Sequence, residues 1–105
     1  MDLGLKDKVA VITGGSVGIG LAVAKALAQE GVHLAICARD EQRVQARALE
    51  IAEQFGVKAI GIKADVAQVD DLKHLEAAIA AEYDGVDILI NNAGLTRDGL
   101  AMRMK

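Results

Sequence analysis

Residues 13–20 read TGGSVGIG, with glycines at positions 14, 15, 18 and 20. Glycine alone marks turns of many kinds, so the setting decides what the pattern means. An apolar run, Val9 to Thr13, comes directly before it and a helical pattern directly after, all within a unit of about thirty residues. In that setting Gly14 permits a sharp exit from a strand. Gly18 removes a side chain that would keep an anion from the helix N-terminus, and Gly20 lets the helix pack close to the sheet. Backbone amides near Ser16, Val17, Gly18 and Ile19, helped by the helix dipole, then favour anionic oxygens. A P-loop is excluded, because Leu21 and Ala22 follow where lysine and a hydroxyl residue are required. The chemistry expected of this stretch is binding of a diphosphate, as in a dinucleotide.

A second signal is CARD, residues 37–40. After the second strand of a dinucleotide-binding unit, an acidic side chain takes the ribose hydroxyls of NAD, whereas arginine pairs with the 2′-phosphate of NADP. Ala38 cannot bond a ribose, Asp40 is better placed to cap the helix that follows, and Arg39 is left as the cation. NADP is therefore favoured over NAD. The bland alternative for Arg39 is a solvated surface charge.

Candidates for acid–base or nucleophilic chemistry are scarce. Tyr83 is the sole tyrosine, and Asp87 lies four residues beyond it. A carboxylate there would raise a phenol pKa, the wrong direction for a catalyst working near neutrality. His33 and His74 have no clustered carboxylate or cysteine, so no metal site is expected. Ser16 lacks a partner base. Cys37 stands alone in the apolar run HLAICAR and reads as a small buried hydrophobe.

The elements that must position these residues follow from periodicity. Strands are expected at Val9–Thr13, Leu34–Cys37, Ala59–Ile62 and Asp87–Asn91. Between them run three helices. Ile19, Ala22, Val23, Ala26 and Leu27 form the inner face of the first, which Gly31 ends in a left-handed turn. Val44, Ala48, Ile51, Ala52 and Phe55 line the second, capped by Asp40 and closed by Gly56. Leu72, Leu75, Ile79 and Tyr83 line the third, which stops at Gly85. This alternation predicts an α/β fold: a Rossmann-type, doubly wound parallel sheet in strand order 3-2-1-4. The ligand then belongs at the switch point between the first and fourth strands.

Composition agrees with that class. The chain has 105 residues, 52% hydrophobic and 26% charged, with 2% aromatic, so its core is aliphatic. A net charge of −3 argues against a nucleic-acid partner. The longest uncharged run, Val9 to Ala24, is interrupted by glycines and shorter than the ~18 residues of a membrane span. The polar start MDLGLKDK is unlike a signal peptide. A soluble, cytoplasmic protein is the expectation.

Three motifs together resemble the short-chain dehydrogenase/reductase family. TGGSVGIG matches its TGxxxGxG turn through Thr13, Gly14, Gly18 and Gly20. NNAG, Asn91 to Gly94, matches the motif after the fourth strand, and Asp65-Val66 the pair after the third. The likeness spans Val9 to Gly94, and the tail TRDGLAMRMK is similar to the 3-oxoacyl-[acyl-carrier-protein] reductase group. The resemblance implies a nucleotide cofactor site. The Gly14 to Ile19 backbone, Gly15 included, would face the pyrophosphate, with Gly20 closing the motif, and Arg39 the 2′-phosphate. Asp65 would take the adenine amino group with Val66 beside the ring. Asn92, Ala93 and Gly94 would line the ribose and nicotinamide side, while Asn91 braces the sheet.

The same resemblance implies a departure. The family's acid–base tyrosine, the lysine four residues after it, the upstream serine and the relay asparagine all belong beyond the fourth strand. None has a counterpart in this sequence, so no catalytic residue is assigned. Residues 1–94 are then expected to form a nucleotide-binding half-domain, inactive alone, with residues 95–105 a tail. The apolar edge DILIN is expected to pair with a second copy in a homodimer. Leu100, Met102 and Met104 would cover that edge or form a short helix. The alternative is a self-associating fragment that binds no cofactor.

Overall fold

The computed structural model describes residues 4–92; the expectations for Ala93, Gly94 and the tail 95–105 lie outside the described residues. Elements run β1 (Val9–Thr13), α1 (Gly18–Gln29), β2 (His33–Ala38), α2 (Glu41–Phe55), β3 (Ala59–Lys63), α3 (Val69–Glu82) and β4 (Ile88–Asn91). The sheet order is β3-β2-β1-β4, and all three pairings are parallel. This is the doubly wound arrangement that the alternation predicts. β1 lies inside the sheet, with Val11 between Ala35 of β2 and Leu89 of β4. Every β1 residue is buried, which is why it reads as an unbroken apolar run rather than an alternating one.

Two layers of side chains sandwich the sheet. Ala10, Ile12, Leu34 and Ile36 pack against Ala24 and Ala28 of α1 and Val44, Ala48 and Ile51 of α2. On the other face Val11, Ala35, Cys37 and Ile62 pack against Leu72, Leu75 and Ile79 of α3. Helix ends obey local rules. The Asp40 carboxylate accepts from the Arg43 amide at 3.1 Å, and Gly56 closes α2 with φ +68°. Gly31 follows α1 with φ +83°, as a left-handed turn requires.

β2 gains His33 and Ala38, the latter expected in the loop, and β3 gains Lys63, because the parallel pairing runs one residue past the apolar runs; three further details depart from the sequence reading. The inner face of α1 is Gly20, Ala24 and Ala28, not the face through Ile19, Ala22 and Ala26; Ile19 is 76% exposed. Small residues win because they let α1 lie directly over the central strands, with Leu21, Val23 and Leu27 filling the flanks. Second, Asp87 precedes β4 instead of opening it. Its carboxylate accepts from the Val9 amide and its own amide donates to the Val9 carbonyl, both at 2.8 Å. Third, α3 ends at Glu82 with Tyr83 as its extended C-cap, short of Gly85. Gly61, unremarked in the sequence, sits in β3 where a Cβ would lie 2.4 Å from the Val44 carbonyl oxygen. Only glycine allows α2 that approach.

Tyr83 is a structural anchor. Its hydroxyl donates to the Leu34 carbonyl at 2.7 Å, with Lys58 Nζ 5.1 Å from the ring centre. Burial first, and the Glu82 carboxylate second, push its pKa above the usual 10.0. The folded state thus holds this proton more tightly than the unfolded state. The stability it contributes is complete below pH 10.0 and is lost as pH rises beyond that value. In urea titrations Tyr83→Phe is expected to cost about 1 kcal/mol at neutral pH. The gap between the two proteins should narrow above pH 10.0. A gap that stays constant through that range would remove the hydroxyl from the ledger.

Candidate functional site

β1 and β4 end side by side, Thr13 opposite Asn91, and the chain turns from β1 into α1 at that edge. The turn is pinned from three directions. Gly14 N and Gly15 N donate to the Cys37 carbonyl of β2, at 2.8 and 3.3 Å. The Thr13 hydroxyl donates to Asn91 Oδ1 at 3.1 Å and accepts from the Asn92 amide at 2.9 Å. Asn92 Nδ2 donates to the Gly14 carbonyl at 3.3 Å. The carboxyl end of β4 is therefore tied to the first residues of the turn.

The glycines divide by what they permit. Gly14 and Gly18 adopt φ +68° and +59°, the left-handed region that glycine enters without strain. Gly20 is a contact residue. A Cβ there would stand 2.2 Å from the Gly14 carbonyl oxygen and 2.7 Å from Asn92 Nδ2. Gly15 is pressed on Ile36, with 2.9 Å to where its Cβ would be. Gly18 is the reverse case, since nothing lies within 4 Å of a Cβ built on it. Its missing side chain leaves open space at the mouth of α1.

Electrostatics at that mouth favour an anion. No side chain caps α1 at Val17, and its first turn carries no acidic residue. α2 has the Asp40 cap and Glu41, and α3 has Asp70 and Asp71 in its first turn. The partial positive charge of the α1 N-terminus therefore meets no carboxylate from its own cap or first turn. Ser16 is buried inside the turn, while Val17 and Ile19 are exposed around it.

The remaining site residues predicted from sequence lie along the same sheet edge. Arg39 follows β2, is exposed, and has no ion pair among the described residues. After β3, Asp65 opens a turn: its Oδ1 accepts from the Ala67 amide at 3.0 Å, and its amide donates to Asp71 Oδ2 at 2.7 Å. Val66 is buried in the α3-side cluster. Gly14 to Gly20 and Asn92 thus form one contiguous group, and Arg39, Asp65 and Val66 stand further along the edge. Sequence reasoning missed Thr13 as the clasp between β1 and β4. Its signal was a hydroxyl at the end of an otherwise aliphatic strand.

The other chemically capable groups are structural. Burial pushes the Cys37 thiol up to about 11, against the opposing effect of a backbone hydrogen bond from Gly14. His33 Nδ1 accepts from the Lys58 amide and its Nε2 faces Asp7 Oδ1, both at 3.0 Å and at the opposite end of the sheet. Among the described residues no group of histidine, cysteine and carboxylate side chains could hold a metal ion. No helix among them is long and apolar enough to cross a membrane.

Known proteins share this arrangement. The model of the short chain dehydrogenase family matches residues 8–105. The chain is 40% identical over 104 residues to a 3-oxoacyl-[acyl-carrier-protein] reductase, FabG, of Aquifex aeolicus, covering 99% of this chain and 42% of that one. A Chlamydia trachomatis FabG is 39% identical over 100 residues. In structure the chain is similar to L-sorbose reductase of Gluconobacter frateurii, crystallised with NADPH and L-sorbose. The TM-score is 0.87 at 42% identity, over 90% of this chain and 36% of that one. Pseudomonas aeruginosa RhlG, solved with NADP, gives a TM-score of 0.79 at 33% identity, over 87% of this chain and 36% of that one. The chain therefore spans about two fifths of the length of its curated relatives. With its glycine turn, sheet order and sequence all in agreement, the chain belongs to the short-chain dehydrogenase family.

Proposed function

We propose that this chain binds NADP(H) as the cofactor-holding front of a carbonyl reductase resembling the 3-oxoacyl-[acyl-carrier-protein] reductases, and that it has no turnover by itself. The observation that carries the proposal is the uncapped, acid-free mouth of α1 beside the open space at Gly18. The diphosphate would lie there along the Gly14 to Ile19 backbone, with the amides of Ser16, Val17, Gly18 and Ile19 as donors, since those of Gly14 and Gly15 are held by the Cys37 carbonyl. Asn92 lines the ribose and nicotinamide side; the same role expected of Ala93 and Gly94 lies outside the described residues. Asp65 and Val66 serve the adenine, and Arg39 the 2′-phosphate. NADP is preferred to NAD because Asp40, the carboxylate that could compete, is spent on the Arg43 amide. The relatives solved with NADPH or NADP support the same choice.

When bound, the nicotinamide supplies a hydride to a carbonyl. The chain's own part is to bind and orient that cofactor. Among the described residues no tyrosine is placed to give the proton. Tyr83 is half-buried, engaged with Leu34 O and raised in pKa. The nucleotide-binding unit is residues 1–94, and a cytoplasmic location suits its buried free thiol.

A second feature favours self-association. Among the described residues β4 pairs only with β1, and Leu89 on it is 39% exposed. Such an edge accepts another strand. A second copy placed across a two-fold axis would join two sheets into one.

Calorimetric titration is expected to show NADP binding more tightly than NAD. Gly18→Ala should still fold, with its midpoint lowered by several degrees because the strain of a positive φ costs about 1 kcal/mol, yet lose most of its NADP affinity. Gly18→Ala that binds normally would dissociate the α1 mouth from the diphosphate. Mixed with NADPH and a 3-oxoacyl thioester, the 105-residue chain should leave the nicotinamide absorbance unchanged; steady consumption would refute the absence of a proton donor. Sedimentation should give a dimer that Leu89→Lys converts to monomer, whereas a wild-type monomer at high concentration excludes the β4 pairing.

A further inference from the structure

We infer that Lys63 is a second specificity-determining cation, which reads the 2′-phosphate of NADP together with Arg39. The inference rests on the cofactor-binding reading above. Strand register carries it. Ala38, the last residue of β2, is paired with Lys63, the last residue of β3, and the Ala64 amide donates to the Ala38 carbonyl at 3.0 Å. Neighbouring strands lie about 4.8 Å apart. Lys63 therefore stands beside the residue that immediately precedes Arg39, at the edge where the glycine turn also lies.

Alternation along β3 fixes the direction of the side chain. Ile62 packs into the α3-side cluster, as do Ile60 and Ala64. Lys63 consequently leaves on the opposite face, the one that α2 covers. Gly61 marks that face, since α2 approaches it through the Val44 carbonyl at the end of its first turn. One step further along β3, Lys63 emerges toward the start of α2, where the chain passes from Arg39 to Asp40.

Charge accounting leaves these two cations unspent. Arg39 and Lys63 are exposed, and neither has an ion pair among the described residues. Asp40 accepts from the Arg43 amide, with the Arg43 guanidinium 3.9 Å away. Asp65 is tied to the Ala67 amide. Glu41, in the first turn of α2, is the remaining carboxylate at that end of the helix. A phosphate monoester carries a charge of about −1.5 to −2 near neutrality, more than one guanidinium balances. Lysine contributes there as a mobile point charge, which complements the planar fork of arginine. Lysine on an edge strand also discourages strand pairing, a role that would be indifferent to the 2′-phosphate.

The test uses the full chain as wild type, Lys63→Gln, Lys63→Arg and Arg39→Gln, titrated calorimetrically with NADP, NAD and 2′,5′-ADP. Lys63→Gln should weaken NADP and 2′,5′-ADP about fivefold while NAD changes by less than about twofold. Lys63→Arg should restore the NADP affinity, and Lys63→Gln should show a shallower salt dependence. If wild type binds NADP and NAD equally, or neither, the cofactor reading fails and this inference falls with it. If wild type prefers NADP and Lys63→Gln keeps the same preference, the inference alone is overturned. Aggregation of Lys63→Gln with unaltered preference would assign the residue to edge protection instead.

Discussion

The site depends on one close approach, that of Gly20 to the Gly14 carbonyl and the Asn92 carboxamide. Two segments far apart in sequence meet there, and neither can be moved without the other. Asn92 holds the Gly14 carbonyl, and the helix that begins at Gly18 passes so near that a single methyl group would collide with both. Thr13 completes the clasp, donating to Asn91 and accepting from Asn92. A small set of backbone and amide contacts thereby sets the height of α1 above the sheet. That height decides whether the α1 amides open onto the crevice or are blocked by the chain itself.

The rest of the fold serves this approach. α1 meets the sheet through Gly20, Ala24 and Ala28, each too small to hold the helix away. α2 does the same over β3 through Gly61. Close helix–sheet contact sacrifices buried apolar area, which the aliphatic strands recover: β1 is buried throughout and β2 nearly so. Anchoring is concentrated away from the crevice. Tyr83, Asp87 and His33 tie loops to the amino ends of the strands through backbone carbonyls and amides, and none faces the turn. The anchoring contacts and the glycine turn are thus separated to opposite ends of the same sheet.

Much of this was legible in the residues. β1, the ends of α2 and the 3-2-1-4 order follow from apolar runs, a capping aspartate and glycines that must turn left-handed, because each signal is local. The glycine turn was legible for the same reason. The inner face of α1 was not. Periodicity weights large apolar residues, so Ile19 drew the face toward itself, whereas the helix packs through residues whose virtue is lacking bulk. Asp87 and Gly61 were also obscure. Each is defined by a partner elsewhere in the chain, Val9 for one and Val44 for the other. A glycine inside a strand pattern does signal close backbone approach, but it does not say which element approaches.

Arg39 and Asp40 show how position, more than composition, assigns a charge. The two are adjacent and opposite in sign, and by sequence alone either could select the nucleotide. The helix decides between them. At the N-cap of α2 a carboxylate gains an amide hydrogen bond and the favourable end of the helix dipole, so Asp40 turns inward to the helix. Arg39 gains nothing there and stays in solvent at the sheet edge. In the proposed NADP site, the cap that stabilises α2 would also remove the acidic competitor from the ribose side. Exchanging the two residues would keep the net charge, uncap the helix and put the carboxylate directly after β2.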